Sequence, residues 1–262
     1  MNTVNFPLFN LEIELEKVAF SLLGVDIYWY AILIVVGILL VLLLCKKDSG
    51  KYNIKFETIL DLSIYVIPIS IISARLYYVV FNPEAYIVNP LKIFDFRGGG
   101  MAIYGGIIGA IITIIVYCRK NKINFLDVLD YLAPFLPLAQ SIGRWGNFIN
   151  TEAYGMETNM PWRMGIFENG IYKEVHPTFL YESILTFVIF IILYKIRNKR
   201  KFKGEIAILY LIMYSFIRFF IEGIRIDSLM FFDVRISQVL SLSIFVVCCG
   251  ILWKKYRKSK KM

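Results

Sequence analysis

An arginine inside a long apolar segment is the residue of this sequence that most strongly suggests chemistry. Arg144 lies near the end of that segment, and Asn147, Asn150 and Glu152 follow it closely. On a helix Arg144 and Asn147 share one face, which Thr151 continues. An arginine inside a membrane costs about 2.5–3.5 kcal/mol on insertion scales, so such a residue rarely lacks a role. These residues predict a polar pocket, although an arginine that merely extends to the lipid headgroups is the simpler alternative.

Two glycines and a second arginine extend this candidate pocket. Gly143 and Gly146 lie on either side of the first arginine and let a ligand or another backbone approach closely. In a later apolar segment Tyr214, Arg218 and Glu222 are spaced four residues apart, which places them on one helix face. A buried arginine–glutamate pair that only joins helices is the alternative. Several arginines in one membrane would have too few internal carboxylates, so we expect a phosphate as counter-ion, which the planar arginine fork suits.

The composition indicates a membrane protein with several spans. The chain has 262 residues, of which 58% are hydrophobic and 19% are charged, and its mean hydropathy is +0.63. A soluble domain of this length carries more charge and shorter apolar runs. We therefore predict an all-α, multi-pass membrane protein.

The distribution of positive charge predicts the orientation and argues against nucleic-acid binding. The net charge is +9, but most lysines and arginines fall in four clusters, 46–55, 119–122, 195–203 and 254–261. Each cluster follows an apolar run, and connections with little basic charge lie between them, which is the positive-inside pattern. The N-terminus is therefore expected outside and the C-terminus in the cytoplasm.

Seven apolar segments approach the ~20 residues that cross ~30 Å of hydrocarbon. The predicted spans are 25–44, 57–81, 101–117, 125–148, 178–194, 205–221 and 237–253. The whole chain, 1–262, is predicted to form one transmembrane domain, and in its third span Gly105 and Gly109 suit close helix packing. Small extracytoplasmic elements are expected in a mildly amphipathic segment, 1–24, and in the connections 151–177 and 222–236, the last of which holds Arg225, Asp227, Asp233 and Arg235.

The predicted topology converts sequence position into depth at about 1.5 Å per helical residue. Spans two, four and six run outward, which places Arg75, Arg144 and Arg218 in the outer half of the membrane. Spans one and three run inward, so Tyr30 and Tyr104 lie near their outer ends. Five polar side chains from five spans are therefore expected at one level, where phospholipid phosphate is the available anion.

Neither the cysteines nor the potential metal-ligating residues indicate a second site. Cys45, Cys118, Cys248 and Cys249 have no CxxC or metal spacing, and we expect structural thiols without a disulfide framework. The single histidine and the scattered carboxylates do not supply a set of metal ligands. No metal and no cofactor are therefore expected.

The segment around the first arginine resembles the signature of a known enzyme family. From Gly143 to Glu152 it reads Gly-Arg-Trp-Gly-Asn-Phe-Ile-Asn-Thr-Glu, followed by Tyr154 and Gly155. This run is similar to the pattern G-R-x-G-N-F-I-N-x-E-x-x-G of the prolipoprotein diacylglyceryl transferase family, with a slightly irregular spacing after the glutamate.

Further matches to that family follow in order along most of the chain. His176 to Glu182 resembles its H-P-x-x-L-Y-E, and Tyr214 to Glu222 its Y-x-x-x-R-x-x-x-E. The partial matches are Trp29-Tyr30, followed by Ala31 instead of glycine; Ala74 to Val79, similar to G-R-x-x-Y-V; Gly99 to Gly106, with Tyr104 where many members have histidine; and Ser237-Gln238 with Leu240-Ser241.

The resemblance implies a transferase of the bacterial cytoplasmic membrane with its active site toward the outer leaflet. Such an enzyme moves the diacylglyceryl group of phosphatidylglycerol to the thiol of a lipobox cysteine in a prolipoprotein signal peptide. It forms a thioether, releases glycerol phosphate and thereby starts lipoprotein maturation. Neither a cofactor nor a nucleic acid takes part.

Each candidate residue has an expected role in that reaction. Arg144 is expected to bind the lipid phosphate, and Arg218 to act on the same donor or on charge that develops in the transition state. Tyr214 and Glu222 are expected to orient Arg218. The other residues expected to contribute to the phosphatidylglycerol site are Tyr30, Arg75, Asn147, Asn150 and Glu152, of which the last three face the glycerol head group.

Three possibilities stay open for the base that activates the thiol: either of two residues, or no base at all. A free thiol has a pKa near ~8.5 and is only slightly ionised at neutral pH, so it needs a proton acceptor or a positive field. A phenol is ordinarily a poor base, so we predict that Tyr104 positions the thiol or the phosphate. His176 is the other candidate, although a histidine that braces the loop before span five is the simpler alternative.

Two other functions are compatible with parts of this pattern. A lipid or anion transporter would also bind phosphate through arginines, but it should carry polar residues along its whole depth. The cytoplasmic halves of the spans look apolar, apart from Asp61, Asp127 and Asp130 near helix ends. A non-catalytic assembly protein would leave the outer polar residues unexplained.

Overall fold

A computed structural model describes residues 2–96, 98–168, 170–232 and 234–259. Asp233 and the last two lysines of the C-terminal basic cluster lie outside these residues. The described part of the chain forms nine α-helices: α1 (Trp29–Lys47), α2 (Phe56–Phe81), α3 (Glu84–Val88), α4 (Ile103–Lys120), α5 (Phe125–Leu132), α6 (Leu136–Asn150), α7 (Thr178–Ile196), α8 (Glu205–Ile224) and α9 (Ile236–Ser259).

Six helices are each long and apolar enough to cross a membrane, counted over the described residues. They are α1, α2, α4, α7 with the turn that follows it, α8 and α9. Long runs of Ile, Leu, Val and Phe in the sequence account for their apolar character. The chain is thus a mostly helical, multi-pass membrane protein.

The predicted fourth span, 125–148, is not one continuous helix. It consists of α5 and α6, and a turn at 133–135 separates them. Pro134 lies in that turn and Pro137 in the first turn of α6. Because proline has no backbone N–H and its ring clashes with the preceding turn, the two prolines interrupt the helix. Each half is shorter than a membrane span, so seven crossings stay a prediction.

The prediction of an all-α fold is wrong, because the described residues also form strands. These are β1 (Asn2–Phe6), β2 (Leu11–Leu15), β3 (Val18–Leu22), β4 (Val25–Tyr28), β5 (Met164–Glu168), β6 (Ile171–Val175), β7 (Met230–Phe231) and β8 (Val234–Arg235). Four of them form an antiparallel sheet in the order β2-β1-β5-β6, and β3-β4 and β7-β8 form hairpins.

The first span begins later than predicted. Residues 25–28 belong to β4, which pairs with β3 so that Val25 faces Leu22, and α1 begins at Trp29. Leu23 and Gly24 both have positive φ, 51° and 76°, as a tight two-residue hairpin turn requires. The β-branched residues Val25 and Ile27 suit a strand, which explains why the helix starts only after them.

Packing divides the chain into two compact units, residues 1–43 with 129–262, and residues 44–128. In the first unit the four-stranded sheet packs against the facing ends of α6 and α7. Val4, Met164 and Val175 of the sheet form a core with Phe148 and Phe179, whose rings stack at 4.6 Å. This core holds together the two helix ends that carry polar residues.

A buried carboxylate fixes the opposite end of α8 in the same unit. Asp130 is fully buried and accepts hydrogen bonds from the backbone N–H groups of Gly204 and Ala207, at 2.7 and 3.0 Å. It also pairs with Arg200 at 2.9 Å. Asp130 therefore satisfies N–H groups at the start of α8 that have no partner within the helix.

In the second unit α2 and α4 pack closely through the predicted glycine pair. A Cβ atom on Gly105 would lie 2.4 Å from Tyr77 Cβ and 2.5 Å from the Ser73 carbonyl. A Cβ on Gly109 would lie 2.4 Å from Ser73 Oγ. Only glycine permits this approach of the two helices, so the predicted small-residue contact is confirmed.

Candidate active site

A carboxylate that the sequence analysis did not single out is central to the polar residues of the first unit. Glu182 lies in the second turn of α7, and its side chain is 2% exposed. Arg144 of α6 donates to Oε1 at 2.5 Å, and Arg218 of α8 donates to Oε2 at 3.0 Å. The Tyr214 hydroxyl lies 3.3 Å from Oε1. One carboxylate thus contacts two guanidinium groups through separate oxygens.

Paired serines fix the register between the two helices that meet at this carboxylate. Ser141 Oγ donates to the Ser183 carbonyl at 2.8 Å, and Ser183 Oγ donates to the Ser141 carbonyl at 3.0 Å. Both serines are buried. They lie one turn before the arginine of α6 and directly after the glutamate of α7, so they hold these two side chains opposite each other.

A chain of polar contacts continues from α6 into the segment that follows it. Arg144 Nη1 donates to Asn147 Oδ1 at 2.9 Å, and Asn147 Nδ2 donates to Glu152 Oε1 at 2.8 Å. Asn150 Nδ2 reaches the same glutamate oxygen at 3.3 Å. The predicted residues of the signature therefore lie together. Thr151, however, ends α6 with φ 54° and does not continue the helix face, which corrects the expectation for it.

The predicted face of α8 is also present. Arg218 forms an ion pair with Glu222 at 2.6 Å, and the side chain of Glu222 is 3% exposed. Tyr214, one turn earlier, contacts the central carboxylate. The spacing of four residues brings these three side chains to one face of the helix, as expected.

The expectation of too few internal carboxylates for the arginines is wrong. Arg144 and Arg218 are matched by two buried carboxylates, Glu182 and Glu222. Because a buried charge without a partner is costly, paired charges make the burial of this group possible. The sequence signal was present, since Glu182 is an acidic residue inside the fifth predicted span, where such a residue is seldom without function.

Two glycines shape the surroundings of Arg144 differently. A Cβ on Gly146 would lie 2.2 Å from the ring of Tyr30, so this glycine allows the predicted lipid-site residue Tyr30 to contact α6. At Gly143 nothing lies within 4 Å of the position of a Cβ. The position of a side chain at Gly143 is therefore open, and the side chain of Arg144 itself is 20% exposed.

Arg75 and Tyr104 belong to the second unit. Arg75 is 4% exposed, and its guanidinium donates to the carbonyls of Lys92, Ile93, Gly99 and Gly100 at 2.5–3.1 Å. These bonds hold the glycine-rich segment that precedes α4. Tyr104 is the second residue of α4 and is 36% exposed.

His176 lies in the connection before α7, outside the apolar helices. Its Nδ1 is 3.2 Å from the Tyr181 hydroxyl, which also accepts a hydrogen bond from Trp162 Nε1 at 2.7 Å. Burial lowers the pKa of the imidazole and so favours its neutral form. Through these contacts His176 links the connection to the first turn of α7.

The connection after α8 is held by its own arginines. Arg225 binds Asp227 through two hydrogen bonds, at 2.9 and 2.7 Å. Burial by itself raises the pKa of the Asp227 carboxyl, but the bonds from Arg225 outweigh it and hold that pKa below its ordinary value. Arg235 donates to the carbonyls of Gly223 and Arg225 at 2.6 and 3.2 Å. It therefore closes the end of the helix that carries Arg218.

No group of three or more His, Cys, Asp or Glu side chains with a metal-binding arrangement occurs in the part of the chain that the structure describes. The cluster of Arg144, Glu182 and Arg218 offers guanidinium donors, which bind anions and not cations. Guanidinium donors of this kind suit an anionic group.

The fold and the site together define a multi-pass membrane protein with a buried arginine–carboxylate cluster near the ends of three helices. The family model for prolipoprotein diacylglyceryl transferase matches residues 17–254, and the chain belongs to this family. A phosphatidylglycerol--prolipoprotein diacylglyceryl transferase of Finegoldia magna is 48% identical over 245 residues, which cover 93% of this chain and 97% of that protein. The proteins of the same name from Clostridioides difficile and Clostridium novyi are 49% and 46% identical, over 94% of this chain and 97% and 98% of theirs.

Proposed function

We propose that this protein transfers the diacylglyceryl group of phosphatidylglycerol to the thiol of the lipobox cysteine of prolipoproteins. The observation that carries the proposal is the convergence of Arg144 and Arg218 on Glu182, beside the signature residues Asn147 and Glu152. This arrangement suits a phosphodiester donor. Its relatives are named for phosphatidylglycerol and prolipoprotein, which supports these two substrates.

Arg144 binds the phosphate of the lipid donor in this proposal. Its side chain is partly exposed, so a headgroup has access to the guanidinium. Its two terminal nitrogens engage Asn147 and Glu182, which fixes the plane of the fork. A fixed planar donor pair is the geometry that recognises phosphate oxygens.

Asn147, Asn150 and Glu152 bind the glycerol part of the head group. Their side chains are already linked to one another through Glu152 Oε1. A preformed set of amide donors and carboxylate acceptors matches the hydroxyl groups of glycerol, which both donate and accept hydrogen bonds. Glu152 is exposed, so it is accessible to a headgroup.

Arg218 stabilises the charge that develops as the phosphate leaves. The thiol loses its proton to water, and its sulfur bonds to the glyceryl carbon as the carbon–oxygen bond breaks, so glycerol phosphate departs with one more negative charge than the phosphodiester carried. A fixed guanidinium stabilises such charge strongly in a water-poor site. Glu222 and Tyr214 orient Arg218 by the contacts described above.

Four further residues have supporting roles in the proposal. Tyr30 forms part of the wall beside Gly146, and Tyr104 positions the thiol or the phosphate. The donors of Arg75 are engaged by backbone carbonyls, so Arg75 supports the lipid site by holding the glycine-rich segment before Tyr104. His176 braces the start of α7 and is a weaker candidate for the base.

The proposed topology has seven crossings, with α5 and α6 together forming the fourth. The N-terminus and the site lie on the outer side of the bacterial plasma membrane, and the C-terminus lies in the cytoplasm. Support comes from the basic clusters that follow α1, α4, α7 and the apolar part of α9.

Incubation of the purified protein with phosphatidylglycerol and a lipobox peptide tests the proposed function. The expected result is a peptide whose mass increases by one diacylglyceryl group, with release of glycerol phosphate. A peptide with serine in place of the cysteine is the matched control and should stay unmodified. Unmodified cysteine peptide together with movement of lipid or anion across the membrane would contradict the proposal and favour a transporter.

A further inference from the structure

We infer that Glu182 is a positioning residue that sets the spacing of the two arginines for the transfer reaction. The inference rests on the proposed function and assigns a role to a residue that contacts Arg144, Arg218 and Tyr214. Each carboxylate oxygen contacts one guanidinium, so the distance between the two oxygens sets the distance between the two arginine forks.

The surroundings of Glu182 keep this carboxylate in one place. Its side chain is 2% exposed, and its backbone carbonyl accepts a hydrogen bond from Thr186. The reciprocal bonds between Ser141 and Ser183 hold the adjacent residue of α7 against α6. A group held by such contacts is preorganised, and it orients its partners without the entropy cost of ordering them during the reaction.

Besides Glu182, each of the two arginines contacts a second partner on its own helix. Arg144 also binds Asn147 on its own helix, and Arg218 also binds Glu222 on its own helix. Without a negative charge between them, the two guanidinium groups repel each other. Loss of the Glu182 carboxylate should therefore let each arginine follow its own helix, which changes the anion-binding geometry without removing either positive charge.

The variant Glu182→Gln tests this role. The amide keeps one oxygen for one arginine and presents an N–H group to the other, so the shared geometry is lost. We expect kcat to fall about 100-fold, as for a displacement of about 1 Å in a catalytic arrangement. The apparent KM for phosphatidylglycerol should rise less than kcat falls, because both positive charges remain and only their geometry changes. This split between kcat and KM, measured on folded protein, distinguishes positioning from a purely structural role.

Glu205→Gln is the matched control. Glu205 is also a buried glutamate, 3% exposed, and it is held by the Tyr256 hydroxyl and the Lys201 backbone N–H at the start of α8. This substitution removes the negative charge of a buried carboxylate and leaves the contacts of Arg144 and Arg218 unchanged. We expect this variant to lose some stability and to keep the kcat of the wild type in its folded fraction.

Glu182→Asp provides a second variant in case the first one does not fold. Aspartate keeps the charge but is one methylene shorter, so it reaches both arginines less well. We therefore expect kcat to fall about 10-fold. Wild-type kcat in folded Glu182→Gln or in Glu182→Asp would overturn the inference while the proposed function stands. Absence of transfer by the wild-type protein would instead overturn the proposed function.

Discussion

The guanidinium of Arg144 engages Asn147 on one terminal nitrogen and Glu182 on the other. Both hydrogen bonds are short and directional, so they fix the plane of the guanidinium before any lipid binds. Arginine and lysine differ most at such a site, because lysine carries the same charge as a point and has no planar fork.

Arg144→Lys should therefore keep the fold and lose activity. Loss of one charge-assisted hydrogen bond costs about 1.5–3 kcal/mol, which corresponds to a decrease of about 10- to 100-fold in kcat/KM. The peptide-modification assay measures this decrease. Arg163→Lys is the control, since Arg163 forms a partly exposed pair with Glu174 at 2.5 Å and such pairs contribute little. Near-native turnover of Arg144→Lys with phosphatidylglycerol would contradict the phosphate-binding role.

Tyr104 permits a test of positioning against proton transfer. If its hydroxyl orients the thiol or the phosphate, Tyr104→Phe should lower kcat about tenfold, as expected for one hydrogen bond of about 1 kcal/mol or slightly more. Tyr104→His should retain much of the activity because it still offers a hydrogen-bonding group. A pH–rate profile decides between the roles. A titrating limb that disappears in Tyr104→Phe would show that the phenol itself ionises in the reaction.

His176 is the single histidine of the chain, so its titration can be followed without ambiguity by NMR of histidine-labelled protein. Because burial lowers its pKa, the folded protein should bind a proton there only below the ordinary value of 6.5. The unfolded chain binds that proton first, so stability should decrease as the pH falls below about 6.5. His176→Asn should show a smaller decrease, and a pKa at or above 6.5 would contradict the expected burial.

At the scale of elements, hydropathy predicted most helices and missed the strands, some of which pair locally and one of which pairs far along the chain. The predicted spans 178–194 and 205–221 agree with α7 (Thr178–Ile196) and α8 (Glu205–Ile224) to within three residues, because an apolar run of this length needs no partner to be recognised. The strand β1 instead pairs with Met164–Glu168, far along the chain. No local pattern contains that partner, whereas β1–β2 and β3–β4 are local hairpins that the mild amphipathicity of the segment 1–24 does not reveal.

The candidate site shows the same division between local and non-local information. The spacing of Tyr214, Arg218 and Glu222 sufficed to predict their common face. The role of Glu182 depends on α6 and α8 meeting α7 at one level, which the sequence of α7 does not contain. The break at Pro134 was visible in the sequence, but an apolar run that continues past it concealed the end of the helix.

The glycines of α6 provide a prediction that belongs to this scale. Gly146→Ala should destabilise the protein by about 1–3 kcal/mol, since the new methyl group overlaps the ring of Tyr30. Gly143→Ala should fold normally because that position is open, yet it should raise the apparent KM for phosphatidylglycerol if the headgroup uses the space. Thermal unfolding and the transfer assay measure the two effects. Equal stability of both variants would contradict the close contact at Gly146.

For the whole molecule, the number of membrane crossings depends on whether α5 and α6 together cross the membrane. Six helices are individually long enough, and the interrupted pair would be the seventh crossing. An odd number of crossings puts the termini on opposite sides, whereas an even number puts them on the same side. The number of crossings therefore follows from the location of two termini, without any assumption about individual helices.

Single cysteines in a protein whose Cys45, Cys118, Cys248 and Cys249 are replaced by serine allow this measurement. Glu12, Glu157, Lys199 and Lys258 are exposed and serve as labelling positions. With seven crossings and an outer N-terminus, a membrane-impermeant maleimide should label Glu12→Cys and Glu157→Cys in intact spheroplasts. Lys199→Cys and Lys258→Cys should react only after permeabilisation, because basic connections remain in the cytoplasm. Labelling of both Glu12→Cys and Lys258→Cys from outside would mean an even number of crossings, and the pair α5–α6 would then not span the membrane.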